Sequence, residues 1–173
     1  MDSVVIETPR FTLRTLTIED ATEKYSRWFD DPVVAEHIVG AKTAHDIASL
    51  RDYIVQKSAH PNVLFLGIFA KATGTHIGNL KFEPIDFNAC HAVLGIMVGD
   101  VRWRGRSVAG EVINAAGQWL NKTFGISELA LGVAKSNVAA QKAYKKSGFI
   151  FGHRHYLQVD TATTLSMIKK VDG

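Results

Sequence analysis

The stretch that most constrains the fold is residues 101–111, V-R-W-R-G-R-S-V-A-G-E, which holds three arginines, one aromatic residue and small residues at Gly105, Ser107, Ala109 and Gly110. It lies where an apolar run, residues 92–98, hands over to a helical pattern. Small residues let a loop bring several backbone N–H groups close to an anion, and a helix behind the loop aims its positive dipole end at the same point. Small residues also occur at helix starts where nothing binds. The stretch therefore asks for a strand, a tight loop and a helix in succession, and it reads as an anion cradle between them.

The elements on either side follow from periodicity. Residues 10–16 alternate Phe11, Leu13 and Thr15 with polar neighbours, the period of a half-buried strand, and Pro9 suits the start of an edge strand. Thr17, Glu19 and Asp20 signal a helix start. Ala21, Tyr25, Trp28 and Phe29 recur at helical spacing, so a first helix is expected over about residues 18–30, stopped by Asp31-Pro32. Thr43 and Asp46 resemble a capping box for a second helix running to about Ala59, with Ile47, Leu50 and Ile54 as its apolar stripe. Residues 63–69 and 75–85 read as a hairpin and residues 89–99 as the next strand.

After the arginine-rich stretch, Val108, Val112, Ile113, Ala116 and Leu120 form an inward stripe, and Gly125 ends that helix. Residues 128–133 read as a strand. Asn137 caps a helix carrying Ala140, Ala143 and Tyr144, and Gly148 terminates it. Residues 149–156 and 161–168 read as two final strands with a turn near Asp160. This order predicts a mixed α+β fold: a central twisted, mostly antiparallel sheet of six to seven strands flanked by about four helices. With no repeat or linker, the 173 residues suit a single domain, 1–173.

Composition excludes several classes of function. The net charge of +3 is mild and there is no long basic block, so no nucleic-acid partner is expected. The cations cluster at Arg102, Arg104 and Arg106 and at Lys142, Lys145 and Lys146, which suits a small polyanion. No run approaches the roughly 18 apolar residues of a membrane span. The start, M-D-S-V-V-I-E, shows no secretory signal, so a cytoplasmic location is the expectation. The single cysteine, Cys90, cannot form an internal disulfide. His153 and His155 share strand spacing, but no third ligand is near in sequence, so no metal site is expected. Asn121-Lys122-Thr123 fits a glycosylation pattern that has no meaning without secretion.

Two motifs together resemble the Gcn5-related N-acetyltransferases (GNAT), in the branch of ribosomal-protein N-terminal (RimJ/RimL-like) and amino-sugar acetyltransferases. The family's phosphate-loop pattern, Gln/Arg-x-x-Gly-x-Gly/Ala, falls on Arg104, Gly105, Arg106, Ser107, Val108 and Ala109. Ser107 stands at a position that is usually glycine. The second match, N-V-A-A-Q-K-A-Y-K-K-S-G-F over residues 137–149, resembles the family's Asn-x-x-Ser/Ala-x-x-x-Tyr-x-Lys-x-Gly-Phe. The likeness covers roughly residues 75–149.

What the resemblance implies is acetyl transfer from acetyl-CoA, used as co-substrate, to a primary amine by direct attack in a ternary complex. Residues 104–109 would hold the pyrophosphate, and Ile96, Met97 and Val98 the pantetheine arm through a strand splayed from its neighbour. Asn137 and Lys142 would lie along the cofactor, and Tyr144 would be the general acid. The residues alone also allow Tyr144 to be simple packing and Asn137 to be simply a cap. No acid stands at Val93 or in residues 130–132, where relatives often carry one. The base is then Glu83, Asp86, His91 or a water chain. A small-molecule amine, with an amino sugar in view, is the preferred acceptor. A protein N-terminus is the alternative, and a non-catalytic acyl-CoA-binding module is the competing class. The chain would act as a monomer or homodimer.

Overall fold

The computed structural model describes residues 3–37 and 46–171. Its strands are β1 (Val5–Glu7), β2 (Phe11–Thr15), β3 (Leu64–Ala70), β4 (Thr75–Asp86), β5 (His91–Val98), β6 (Glu128–Ala134), β7 (Ile150–Phe151) and β8 (Thr164–Lys170). Its helices are α1 (Glu23–Arg27), α2 (Pro32–His37), α3 (Ile47–Ala59), α4 (Val108–Phe124) and α5 (Val138–Lys146). The strands form one sheet in the order β1-β2-β3-β4-β5-β6-β8-β7. Every neighbouring pair is antiparallel except β5 and β6, which are parallel and joined through α4. Parallel neighbours need such a crossover, and here the crossover begins with the arginine-rich loop.

The sheet has eight strands, against the six to seven expected. The extra strand is β1, whose alternation, with Ile6 buried between two exposed residues, is too short to read. The first helix is broken: residues 18–20 and 28–30 are 3₁₀ turns on either side of the five-residue α1. Asp31-Pro32 stops that element as expected, Asp31 being extended, and also begins a further helix. Asp31 Oδ1 accepts from the amides of Val33 and Val34, and proline at the first helical position lacks only an amide that would have gone unpaired. Asp46 itself caps α3 by accepting from Ser49, while Thr43 lies outside the described residues. The expected strand over residues 149–156 shortens to Ile150–Phe151. At Gly152 the chain crosses tightly over Ile168, and a Cβ there would stand 2.8 Å from Ile168 Cδ1.

One face of the sheet is covered by α4, whose predicted stripe of Val108, Val112, Ile113, Ala116 and Leu120 is buried against Leu66, Ile68, Leu80, Phe82, Leu129 and Leu131. Each fully buried aliphatic side chain of this kind contributes about 1.5–3 kcal/mol. The opposite face has two separate covers. The α1–α3 region packs Tyr25, Trp28, Leu50 and Ile54 on Phe65 and Met97. Leu157 and Tyr156, from the crossing after β7, pack with Val93, Ala130 and Ile168. Between the two covers Gly95 of β5 is exposed, and nothing lies within 4 Å of where its Cβ would stand. Among the described residues no helix is long and apolar enough to cross a membrane.

Candidate functional site

β5 and β6 are laddered only at His91–Glu128, Ala92–Leu129 and Val93–Ala130, although the strands run on to Val98 and Ala134. On their outer sides β5 stays paired with β4, and β6 with β8 over seven residue pairs. Alternate main-chain groups facing across the gap therefore have no strand partner, and in a folded protein such groups call for one. Gly95 and Gly132 are exposed, one on each arm of the gap. Ile96 and Val98 pack their side chains toward α4, and Met97 packs toward α1–α3. These three residues thus keep only main chain available toward the gap. Of that, the Val98 carbonyl already accepts from Arg104 Nε at 2.9 Å.

The open end of the gap leads into the loop. Gly99 lies against Trp28, so closely that a Cβ there would fall 2.0 Å from the indole. Buried Asp100 then accepts from the amide, Nε and a terminal nitrogen of Arg102 and pairs with Lys24 Nζ at 3.2 Å. The Arg102 contacts, strengthened by Lys24, hold the Asp100 carboxyl far below the usual carboxylate range. Arg104 turns inward to Asp31 at 3.1 Å as well as to Val98. Two of the three arginines, Arg102 and Arg104, are therefore engaged in the loop's own shape. Arg106 is exposed and has no ion pair among the described residues. Trp103 stands edge-on to Phe11 at 5.4 Å and closes the core.

What the loop offers outward is backbone. Gly105 and Ser107 both adopt left-handed conformations, with φ of 72° and 59°. The amides of Gly105, Arg106, Ser107, Val108, Ala109 and Gly110 find no acceptor among the described residues; the first bond of α4 is Glu111 N to the Ser107 carbonyl. A run of free amides at the N-terminus of a 17-residue helix is an anion site by geometry and by dipole. Val108 contributes its amide alone, since its side chain is in the core. The left-handed φ explains why glycine is usual where Ser107 stands. The serine makes no side-chain cap, because capping requires the extended backbone that this residue lacks.

α5 lines up the second motif. Asn137 caps it, its Oδ1 accepting from Ala140 N at 3.0 Å, which leaves Nδ2 without a partner among the described residues. Lys142 is exposed on the same helix. Tyr144 is half-buried beside Phe149, with ring centroids 5.9 Å apart, and its hydroxyl has no hydrogen-bond partner among the described residues. Burial pushes its pKa up to about 12, so it is a neutral phenol with a donor to spare. Sequence reading missed Lys169, which donates to the Ser147 carbonyl at 2.6 Å and to Asn114, tying the end of α5 to α4 and β8. A lysine two strands away in sequence carries no local signal of that role.

The structure assigns each base candidate to other work. Glu83 is only partly exposed, which opposes its charge, yet Lys57 and Lys81 at 2.6 and 2.7 Å hold its carboxyl below the ordinary range. Asp86 is also lowered, first by the Ala89 amide and then by that of Asn88, which it accepts in the turn before β5. His91 is buried at the closed end of the gap, stacked on Tyr156 at 3.6 Å. Cys90 sits in the same turn, with φ of 56°. His153 and His155 fall in the irregular crossing, and no group of three or more potential ligands for a metal occurs among the described residues.

A family model described as "Acetyltransferase (GNAT) domain" matches residues 10–150. No curated protein sequence matches the chain. Among solved structures, RimL, a ribosomal L7/L12 alpha-N-protein acetyltransferase in complex with coenzyme A, superposes with a TM-score of 0.83 at 13% identity, covering 98% of this chain and 99% of that one. RimJ from Mycobacterium smegmatis, in complex with CoA-disulfide, gives 0.78 at 18% identity, covering 97% and 86%. Spermidine N-acetyltransferase from Vibrio cholerae, in complex with CoA and spermine, gives 0.77 at 15% identity, covering 94% and 96%. At such identities the likeness is one of fold.

Proposed function

Because the chain belongs to the GNAT acetyltransferase family, we propose that it transfers an acetyl group from acetyl-CoA to a primary amine, with both substrates bound at once. The observation that carries this reading is the ladder between β5 and β6, which ends at Val93 and opens toward a loop of free amides. A linear ligand with amide groups at one end and a pyrophosphate at the other fits that pair of features. RimL, RimJ and the spermidine enzyme were solved with CoA or its disulfide, which supports the same ligand here.

In this reading the amides of residues 105–110, with Arg106, hold the pyrophosphate. Main chain of Ile96 and Met97 takes the pantetheine, and Asn137 Nδ2 and Lys142 lie along it. Acetyl-CoA supplies the acetyl group as a thioester. Tyr144 holds a proton at its hydroxyl for the sulfur that departs. Burial keeps that hydroxyl protonated at neutral pH. With Glu83, Asp86 and His91 engaged, the proton of the attacking amine passes to water. Cys90, at the laddered end of the gap, is placed for neither acyl transfer nor acid catalysis. The acceptor is a small-molecule amine, with amino sugars in view; protein N-termini are the competing assignment.

Tyr144→Phe should lower kcat about 100-fold, the usual worth of a positioned acid, with acetyl-CoA affinity unchanged within about twofold. An unchanged rate removes Tyr144 from the mechanism. Wild-type protein that binds CoA but acetylates neither amino sugars nor N-terminal peptides would be a binding module instead.

A further inference from the structure

The bare floor at Gly95 has a charged wall. Lys81 is its direct partner across the β4–β5 ladder, so the two residues share the face opposite α4. Lys81 Nζ lies 2.7 Å from Glu83 and donates to the Tyr53 hydroxyl of α3 at 2.8 Å. Lys57, also of α3, donates to the other Glu83 oxygen at 2.6 Å. The Tyr53 ring stands edge-on to Phe65, the β3 partner of Lys81, and so fixes the cluster to the sheet. One carboxylate thus serves two ammonium groups, and no other carboxylate among the described residues pairs with either lysine. Side-chain exposures of 28% for Lys81 and 19% for Lys57 leave both sheltered enough to exert a strong field and open enough to meet a ligand.

We infer that this wall, led by Lys81, recognises an anionic group, a phosphate or a carboxylate, carried by the acceptor amine. The inference rests on the acetyl-transfer reading and narrows its substrate class. A polyamine approaching Gly95 would meet uncompensated positive charge, whereas an amine bearing a negative group completes the cluster's charge balance. Partial burial works against the charge of Lys81, but its bonds to Glu83 and Tyr53 keep it an ammonium at neutral pH. Glu83 acts as a positioning residue: it holds the two ammonium groups together and limits the positive charge they present.

The test is calorimetric binding of matched ligands to the full chain loaded with CoA: glucosamine, glucosamine 6-phosphate, the corresponding amino-sugar acid and spermidine. The phosphate and carboxylate arms distinguish the two anions. The expected result is that one of the anionic ligands binds at least tenfold more tightly than glucosamine and that spermidine binds most weakly. Lys81→Met should remove that preference while changing glucosamine binding less than twofold, and Lys81→Arg should retain it. Lys57→Met serves the same comparison if Lys81→Met fails to fold. Glu83→Gln should tighten the anionic ligand about threefold, whereas a merely structural ion pair predicts that it weakens every ligand alike. Equal binding of all amines, preference for spermidine, or loss of anion binding in Glu83→Gln overturns the inference. Because binding is read without turnover, an anion preference in a protein that acetylates nothing would overturn acetyl transfer alone. Turnover of the phosphate- and carboxylate-bearing amines that is indifferent to Lys81→Met would overturn the anionic acceptor alone.

Discussion

Arg102 and Arg104 in the loop after β5, and Lys57 and Lys81 on α3 and β4, are both basic groups beside the same gap, yet they use their charge in opposite ways. Arg102 meets Asp100, which Lys24 shares, and Arg104 meets Asp31, so these two arginines are satisfied within the fold and the loop presents backbone amides and Arg106. The lysines share Glu83, so the excess charge stays on side chains. The difference follows from chemistry. A planar guanidinium with several fixed donors can brace a loop against carbonyls and a carboxylate together, while a compact ammonium on a flexible stem serves as a point charge. Two of the three arginines that catch the eye in the motif thus brace the loop, while Lys57 and Lys81, distant from each other in sequence, share a single carboxylate.

The comparison breaks most readily at Asp100. Asp100→Asn removes the buried charge, and one of the two accepting oxygens, that face Arg102 and Lys24, and should cost about 2 kcal/mol in chemical denaturation. It should also flatten the acid limb of stability. A carboxylate held below its unfolded value stabilises the fold above that value, and the contribution disappears as pH falls through the folded one. Glu128 adds to the same limb. Bound by Arg154, and also by Tyr156 and Lys170, its carboxyl is held below the ordinary carboxylate range, at about 2. Wild-type stability should therefore fall between about pH 4.5 and 2, a window set by these depressed carboxylates.

A smaller contrast separates the arginines. Arg104→Ala should lower stability by about 1–2 kcal/mol, because Asp31 and two main-chain carbonyls lose a partner. Arg106→Ala should leave stability within about 0.5 kcal/mol and weaken CoA about three- to tenfold, with a shallower salt dependence, read by thermal shift and calorimetry. The opposite pattern, with Arg104→Ala sparing the fold and abolishing CoA binding, would put its charge back in the site. Smallest of all, Ser107→Gly should raise stability by up to about 1 kcal/mol by relieving a left-handed φ at a residue with a Cβ, with CoA affinity unchanged.

How legible these features are in the sequence depends on whether the information is local. The α4 stripe, the Asn137 cap and the left-handed glycines after α4 and α5 each depend on neighbours a few residues away, and all were readable. The mixed sheet followed from element order. The breaks in the first helix were not readable, since the spacing of Tyr25, Trp28 and Phe29 is compatible with one helix or with two turns around a short one. At the site, the residues of the loop and of α5 came from motif spacing. The commitment of Arg104 to Asp31, seventy-three positions apart, could not come from there. Nor could the Lys57–Glu83–Lys81 cluster, whose members lie on two elements and look like ordinary surface charges until the β4–β5 register sets one of them beside Gly95.

The short ladder between β5 and β6 has a mechanical meaning as well. β6 is stitched to β8 by seven residue pairs and to β5 by three, so the seam between the two long strands β5 and β6 is weak, and it runs along the wall of the gap. A ligand that lays hydrogen-bonding groups between the strands would act as a removable ninth strand. Occupancy would then be felt in the cohesion of the sheet itself: hydrogen exchange in β6 and β8 would slow when the seam is filled and quicken when it is emptied.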